Sequence, residues 1–455
     1  MTRRNRLALT VAMSIVVAAC AQGTGGETTT SVPPPTTATT TAVPSEEETT
    51  TTAPSGLSCG DGVTVGVVTD LTGPLAIYGA HINRAIPIGF AYATGSEPQT
   101  GEVQTYQLEN CEIRVVFKDD QTNPELTATV GRELIEVEGA DILIGTVSSG
   151  ATASLQSLAL ENDVILIAAP AAASDLTGKD FNPNTFRVSR NNYQDAMAIC
   201  EQFVQNAGYE TFVQIAPDYS FGYGGAAAYR DACTAAGGEF LADDVFAPAD
   251  TTDFTSYLQP FADTDADAFL VTWAGGGFVP LLQAAIDLGV IDEDTALGSP
   301  FVDNVVMPAF FANAVGATSS ILYHYTVPDN PINDFLVAKA AEQGVVPDLF
   351  DADGMNAAIM VVEALKATDG AVDATSLREA MEGMSFEGPK GTIEIRPEDH
   401  VAIQDMYIVK LLNVDDPEFR YYEYVATVRP EPPCLLEGDY LDRCGDLPTG
   451  SLTGG

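Results

Sequence analysis

Short apolar runs alternate with helical stretches along this chain, and the alternation starts twice. The first series places strand candidates at Val63–Val68, Cys111–Phe117, Asp141–Gly145 and Val164–Ala168. The second places them at Thr211–Ala216, Glu239–Phe246, Ala268–Trp273 and Thr295–Gly298, with helical patterns such as Phe278–Leu288 between. Buried parallel strands read as continuous apolar runs, and each needs a crossover helix before the next. The pattern predicts an α/β fold of two doubly wound parallel-sheet lobes, as suits a body of about 400 residues, beyond the size at which one core stops growing. Helices at Ile332–Gln343 and Ala352–Thr368, then strands at Gly391–Arg396 and Ile403–Leu412, complete a lobe out of order.

Ligands of such sheets bind outside the carboxyl ends of the strands, so the segments after Val68, Gly145, Ala168, Ala216, Trp273 and Ser299 hold the candidate site. One of them is especially informative. Gly145 ends an apolar run, and Ser148 and Ser149 then open the small-residue helix Ala151–Glu161. Serine caps a first helical turn, while the unpaired N–H groups and positive dipole end there favour a carboxylate. Capping alone accounts for paired serines anywhere; a strand-end position adds the second role.

The chain begins M-T-R-R-N-R, followed by an apolar stretch, Leu7–Val17, and V-A-A-C ending at Cys20. Basic residues, a short apolar core and small residues before a cysteine form an export signal over residues 1–19. The apolar run is well short of the roughly 20 residues of a spanning helix. From Cys20 to about Gly56 the chain is Thr, Pro, Ser, Gly and Glu, too polar to offset the entropy of ordering, and reads as a tether. Losing Arg3, Arg4 and Arg6 with the signal takes the formal charge from −44 to −47. Such an acidic, lysine-poor chain is a poor match for a phosphate backbone, so nucleic acid is excluded as a partner.

Without Cys20, six of the seven cysteines remain, an even number for an oxidising compartment. Sequence alone allows 15 pairings. The expected set is Cys59 with Cys111 across two strand starts, Cys200 with Cys233 across consecutive helices, and Cys434 with Cys444 around a terminal loop. G-Y-G-G-A-A at 222–227 imitates a dinucleotide fingerprint, but five residues separate it from its strand and no acid follows where one is needed. His81, His324 and His400 are dispersed and lie in no H-E-x-x-H, and no G-x-S-x-G or P-loop lysine is present. No metal, cofactor or enzymatic activity is expected.

The residues carry one resemblance. G-V-V-T-D-L-T-G-P-L-A-I-Y-G (66–79), K-D-D-Q-T-N-P (118–124), I-G-T-V-S-S-G-A-T-A (144–153), A-A-A-S-D-L-T (171–177), F-R-V-S-R-N-N-Y-Q-D-A (186–196) and D-Y-S-F-G-Y-G (218–224) run in one order. Together they resemble the branched-chain amino-acid-binding family of type I periplasmic binding proteins, the extracytoplasmic receptors of ABC importers. V-A-A-C similarly resembles a lipobox, which would make Cys20 the lipid-bearing first mature residue.

The resemblance implies a three-segment hinge near residues 187, 320 and 398. An N-terminal lobe would span 57–187 plus 321–397 and a C-terminal lobe 188–320 plus 398–429, with 430–455 as a peripheral tail. It further implies a monomer on the outer face of the cell membrane that closes on an amino acid or a related carboxylate or amide and meets an ABC permease. The carboxylate would meet Ser149, with Ser148 and Thr152, and the loop Ala172, Ala173 and Ser174. Tyr78, Tyr219 or Phe221, and Trp273 would wall the ligand. Phe301 stands where amino-acid-selective relatives carry an acid, leaving Asp303 as the substitute; an ammonium group closed into a dry cleft without an opposite charge loses several kcal/mol of solvation. A sensor of the same fold, signalling to a membrane partner, is the alternative, and a surface hydrolase would need a nucleophile and base that the motifs do not supply.

Overall fold

A computed structural model describes residues 56–299 and 301–453; the export signal, Cys20 and the tether lie outside the described residues. The first lobe is built from β1 (Val63–Thr69), α1 (Ala76–Thr94), β2 (Val103–Leu108), β3 (Cys111–Asp119), α2 (Pro124–Glu136), β4 (Ile142–Ile144), α3 (Ser149–Glu161), β5 (Ile165–Ala168) and β6 (Thr185–Arg187). These strands form one sheet, ordered β2-β3-β1-β4-β5-β6, parallel except for the β2 edge. Side chains alternate between two cores, as strand geometry requires. Val65, Val67, Ile142 and Ile144 face the cluster that includes α1, whereas Val68 and Leu143 face α2 and α3.

The chain leaves this sheet at 188–191 and enters α4 (Asn192–Cys200), β7 (Thr211–Pro217), α5 (Ser220–Ala236), β8 (Glu239–Phe240), β9 (Val245–Ala247), α6 (Thr255–Leu258), β10 (Ala268–Val271), α7 (Phe278–Asp287), β11 (Ala296–Gly298), α8 (Met307–Phe310) and β12 (Thr318–Ile321). The second sheet runs β11-β10-β7-β8, with β9 also on β7. The expected strand Glu239–Phe246 is thus two short ones. Asp243 and Asp244 interrupt it, and Asp244 pairs with Arg230 and accepts from Gln214 Nε2 at 2.6 Å.

The chain then returns to the first lobe with α9 (Pro331–Glu342), α10 (Asp351–Ala367), α11 (Ala374–Met381), β13 (Ser385–Gly388), β14 (Gly391–Ile395) and β15 (Ala402–Ile403). α10 lies directly on α1: a Cβ on Gly89 would come within 2.7 Å of Ala358 Cβ, so glycine permits the approach. A third passage leads to β16 (Met406–Leu411) and β17 (Tyr422–Val428), which extend β12 as the antiparallel order β12-β16-β17. Two parallel-sheet lobes are thus joined by three connecting segments, as the sequence pattern implied.

Cys59 is bonded to Cys111, Cys200 to Cys233 and Cys434 to Cys444. The first bond ties the chain before β1 to the start of β3, and the second ties the end of α4 to α5. Among the described residues no helix is long and apolar enough to cross a membrane.

Candidate functional site

Three loops at the carboxyl ends of first-lobe strands are fixed by buried hydrogen bonds. After β1, the fully buried Asp70 accepts from the backbone N–H groups of Gly73 and Leu75, the latter at 2.8 Å, which turns the chain into α1 and places Tyr78. Gly79 lets that helix start against the strand end, since a Cβ there would fall 1.5 Å from Asp70 O. After β4, Ser148 is the N-cap of α3, its Oγ accepting from Ala151 N at 3.5 Å. Thr152 Oγ1 accepts from Thr146 N at 3.0 Å and donates to Ser148 O at 2.9 Å, bracing the turn from inside.

Ser149 Oγ accepts from Ala173 N at 3.1 Å and so couples this turn to the loop after β5. Its own proton is left for another acceptor. Two buried arginines hold the β5 loop from below. Arg187 donates to Ala171 O and, at 2.7 Å, to Ala173 O; Arg190 donates to Pro170 O at 3.0 Å. Arg190 is 1% exposed, and its guanidinium lies 5.4 Å from the Phe301 ring centroid and 5.2 Å from that of Phe350.

The second lobe faces these groups with aromatic rings. Tyr219 and Phe221 sit at the start of α5, where Asn192 Nδ2 donates to Phe221 O at 2.8 Å, and Phe301 follows β11. Phe221 and Phe301 lie 5.8 Å apart, Phe301 and Tyr78 6.2 Å, within the range of favourable offset and edge contacts. Between the lobes is a cavity of about 30 Å3, to which the first lobe contributes Tyr78, Ser149, Ala172 and Phe350, the connecting segment after β6 Arg190, and the second lobe Tyr219, Phe221 and Phe301. That volume admits about one water, so an organic solute requires the walls to part. Among the described residues no Asp or Glu lines it.

A larger cavity, about 400 Å3, opens between β11 and β12, lined by side chains such as Leu282, Phe310, Ile321 and Leu411 and bordered by Asp348 and Leu349 of the first lobe. Of the expected ligand contacts only Phe301 reaches it. The interlobe cavity is the better candidate because it lies where the strand ends of both sheets converge on polar groups.

Several expected contacts stand elsewhere. Trp273 is 1% exposed and packs edge-on against Phe254 at 5.0 Å in the second-lobe core, away from the cleft lining. Thr152, Ser148 and Ala173 are spent on the loop itself, and Ser174 Oγ is buried outside the lining with no partner. Asp303 also stays out of the lining; Tyr78 Oη donates to its Oδ2 at 3.3 Å. Burial pushes the Asp303 carboxyl up to about 6, although the Tyr78 hydroxyl pulls the other way. Burial and Asp303 raise the Tyr78 phenol well above its ordinary value, so it remains a neutral donor.

Arg190 and Phe350 are cleft residues that sequence reasoning did not single out. For Arg190 a signal existed: an arginine in the largely uncharged run F-R-V-S-R-N-N is costly to bury without a purpose. Phe350 sits in the segment before α10, which no strand end marks.

The chain matches the family model described as periplasmic binding protein over residues 62–415. It is 26% identical over 367 residues to Leu/Ile/Val-binding protein homolog 6 of Brucella melitensis, covering 78% of this chain and 89% of that one. A solved ABC-type branched-chain amino acid transporter from Rhodopseudomonas palustris is 32% identical, with a TM-score of 0.66 over 81% of this chain and 96% of the other. An ABC-transporter solute binding protein from Rhodopseudomonas palustris BisB5, solved in complex with 3,4-dihydroxy benzoic acid, is 26% identical, with a TM-score of 0.69 over 81% and 98%.

Proposed function

The chain belongs to the periplasmic binding protein family, and from that premise we propose that it captures a small carboxylate with an aromatic or otherwise apolar body. It is an extracytoplasmic substrate-binding protein of the ABC-transporter type and not an enzyme. The observation that carries the ligand class is the composition of the cleft: a buried guanidinium and a free hydroxyl proton on one wall, aromatic rings on the other, and no lining acid. Arg190 and Ser149, with the start of α3, favour a carboxylate. The rings of Tyr219, Phe221 and Phe301 favour an apolar body, and an α-ammonium group would find no opposite charge among the lining residues. The 3,4-dihydroxy benzoic acid held by the Rhodopseudomonas palustris BisB5 protein is a ligand of this chemistry.

Binding proceeds by lobe movement about the connecting segments near 187, 320 and 398, with the lobes divided as 57–187 plus 321–397 and 188–320 plus 398–429. The solute is delivered to an ABC permease by a monomer tethered through lipid on Cys20. Thermal-shift and calorimetric titration of matched pairs tests the ligand class: benzoates, aliphatic acids and 2-oxo acids against the corresponding α-amino acids and amides. Acids without the amine are expected to raise the melting temperature, because a ligand bound only by the folded state stabilises it. Stabilisation by α-amino acids alone would overturn the assignment.

A further inference from the structure

The three histidines show no metal-binding spacing in the sequence, yet folding carries one of them to two aspartates distant in the chain. His81 lies on α1 one turn after Tyr78, Asp303 follows β11 in the second lobe, and Asp348 precedes α10 in the first. One imidazole nitrogen and one oxygen from each carboxylate all lie within 4.8 Å of one another. His81 is 5% exposed and Asp303 7%, and His81 Nδ1 and Asp303 Oδ1 are both buried without a hydrogen-bond partner. Leaving either atom unpaired is costly, and a buried carboxylate, Asp303, and a half-buried one, Asp348, repel each other at this separation. Arg84, the cation whose charge reaches His81, is committed to Asp351.

The remaining bonds hold these groups as the outer partners of metal ligands do. Tyr78 Oη donates to Asp303 Oδ2 at 3.3 Å, while Asn304 N and Leu349 N donate to Asp348 at 3.1 and 2.9 Å. A proton shared by the two carboxyls would relieve their repulsion but would leave the His81 nitrogen unpaired.

We propose that His81, Asp303 and Asp348 bind one divalent transition-metal ion, with zinc the best match, and that this ion joins the two lobes beside the cleft. Imidazole nitrogen and carboxylate oxygen are both zinc ligands, and three protein ligands leave a fourth position for water. Tetrahedral ligands at zinc distances stand roughly 3.4 Å apart, so a cluster whose atoms lie within 4.8 Å contracts by up to about 1.4 Å to close on the ion. The site does not depend on which solute the cleft takes.

The test is calorimetric titration of the chelator-stripped chain with Zn2+. Physiological salt and millimolar Mg2+ should be present, because a chain of formal charge −44 adsorbs cations diffusely. One ion per chain is expected, weakened at least tenfold by His81→Ala and by Asp303→Asn but not by Asp287→Asn, an exposed acid elsewhere in the second lobe. X-ray absorption of the wild-type zinc complex should show imidazole scattering in an all-nitrogen-and-oxygen shell, a readout that survives if a variant fails to fold. Absence of saturable uptake, equal uptake by all variants, or a spectrum without imidazole would overturn the proposal.

Discussion

The two walls of the cleft are built by different means. The first-lobe wall is a hydrogen-bonded frame: Ser149 accepts from Ala173, Arg187 and, from the adjoining connecting segment, Arg190 bind the carbonyls of the β5 loop, and Asp70 folds the loop before α1. The second-lobe wall is a set of rings, Tyr219, Phe221 and Phe301, that touch one another and reach across to Tyr78. A frame fixed before binding lowers the ordering cost of orienting a carboxylate, whereas rings exclude water from whatever body follows. The difference assigns orientation to the first lobe and enclosure to the second.

The largest effect that could break this division is expected from Arg190→Ala. Arg190 Nε lies 3.3 Å from Asp195 Oδ1, and both side chains are buried. Removing one partner leaves an uncompensated charge, a loss of about 3–5 kcal/mol in urea denaturation, and carboxylate binding should vanish with it. A variant of undiminished stability that still binds carboxylates would show that the polar wall orients nothing. Next comes the second lobe. Cys200 and Cys233 tie α4 to the far end of α5, whose first turn carries Tyr219 and Phe221. Replacing both by Ser opens a loop of 33 residues and should cost about 3–4 kcal/mol, read as a lower melting temperature, with ligand affinity largely retained once the chain is folded. Loss of affinity in the folded variant would mean that the ring wall depends on a rigid frame as well.

A pH effect separates the walls further. Asp195 and Asp353, within electrostatic reach of Arg190, are pushed up by burial from 3.8 to about 6. Between these values the folded state holds more protons than the unfolded one, so unfolding free energy should fall as pH rises from about 4 to about 6, by on the order of 3 kcal/mol or less. Self-repulsion of the acidic surface acts in the same direction. Asp353→Asn tests its share: it should flatten the slope of melting temperature against pH, and an unchanged slope would exclude Asp353 as a source of the effect.

How much of this was legible follows from burial and distance. Strands such as Val63–Thr69 and Ile165–Ala168 are apolar because both faces of a parallel sheet are covered, so the alternation gave the two lobes directly. The edge strand Val103–Leu108 was not identified: only every second residue is buried, which makes a weaker signal. Serines at the start of α3 were legible because capping is local. Trp273 could not be placed, since a strand-end tryptophan reads alike whether it faces a cleft or Phe254. Tertiary proximity was silent altogether: nothing local in Asp303 or Asp348 points to His81, and nothing before α10 points Phe350 at Arg190.

The smallest effect is also the sharpest test of the polar wall. Ser149 is 2% exposed, and its Oγ already accepts from Ala173 N at 3.1 Å, so the hydroxyl serves the frame and, through its proton, the ligand. Ser149→Ala removes both roles, and a loss of about 1–3 kcal/mol in carboxylate affinity is expected by calorimetry. The two roles separate in their companions. Ser148→Ala removes only the cap on Ala151 N, which should lower stability by about 1 kcal/mol and leave affinity alone. If Ser148→Ala weakens the ligand as much as Ser149→Ala, the turn acts through its shape; if only Ser149→Ala does, its hydroxyl donates to the carboxylate.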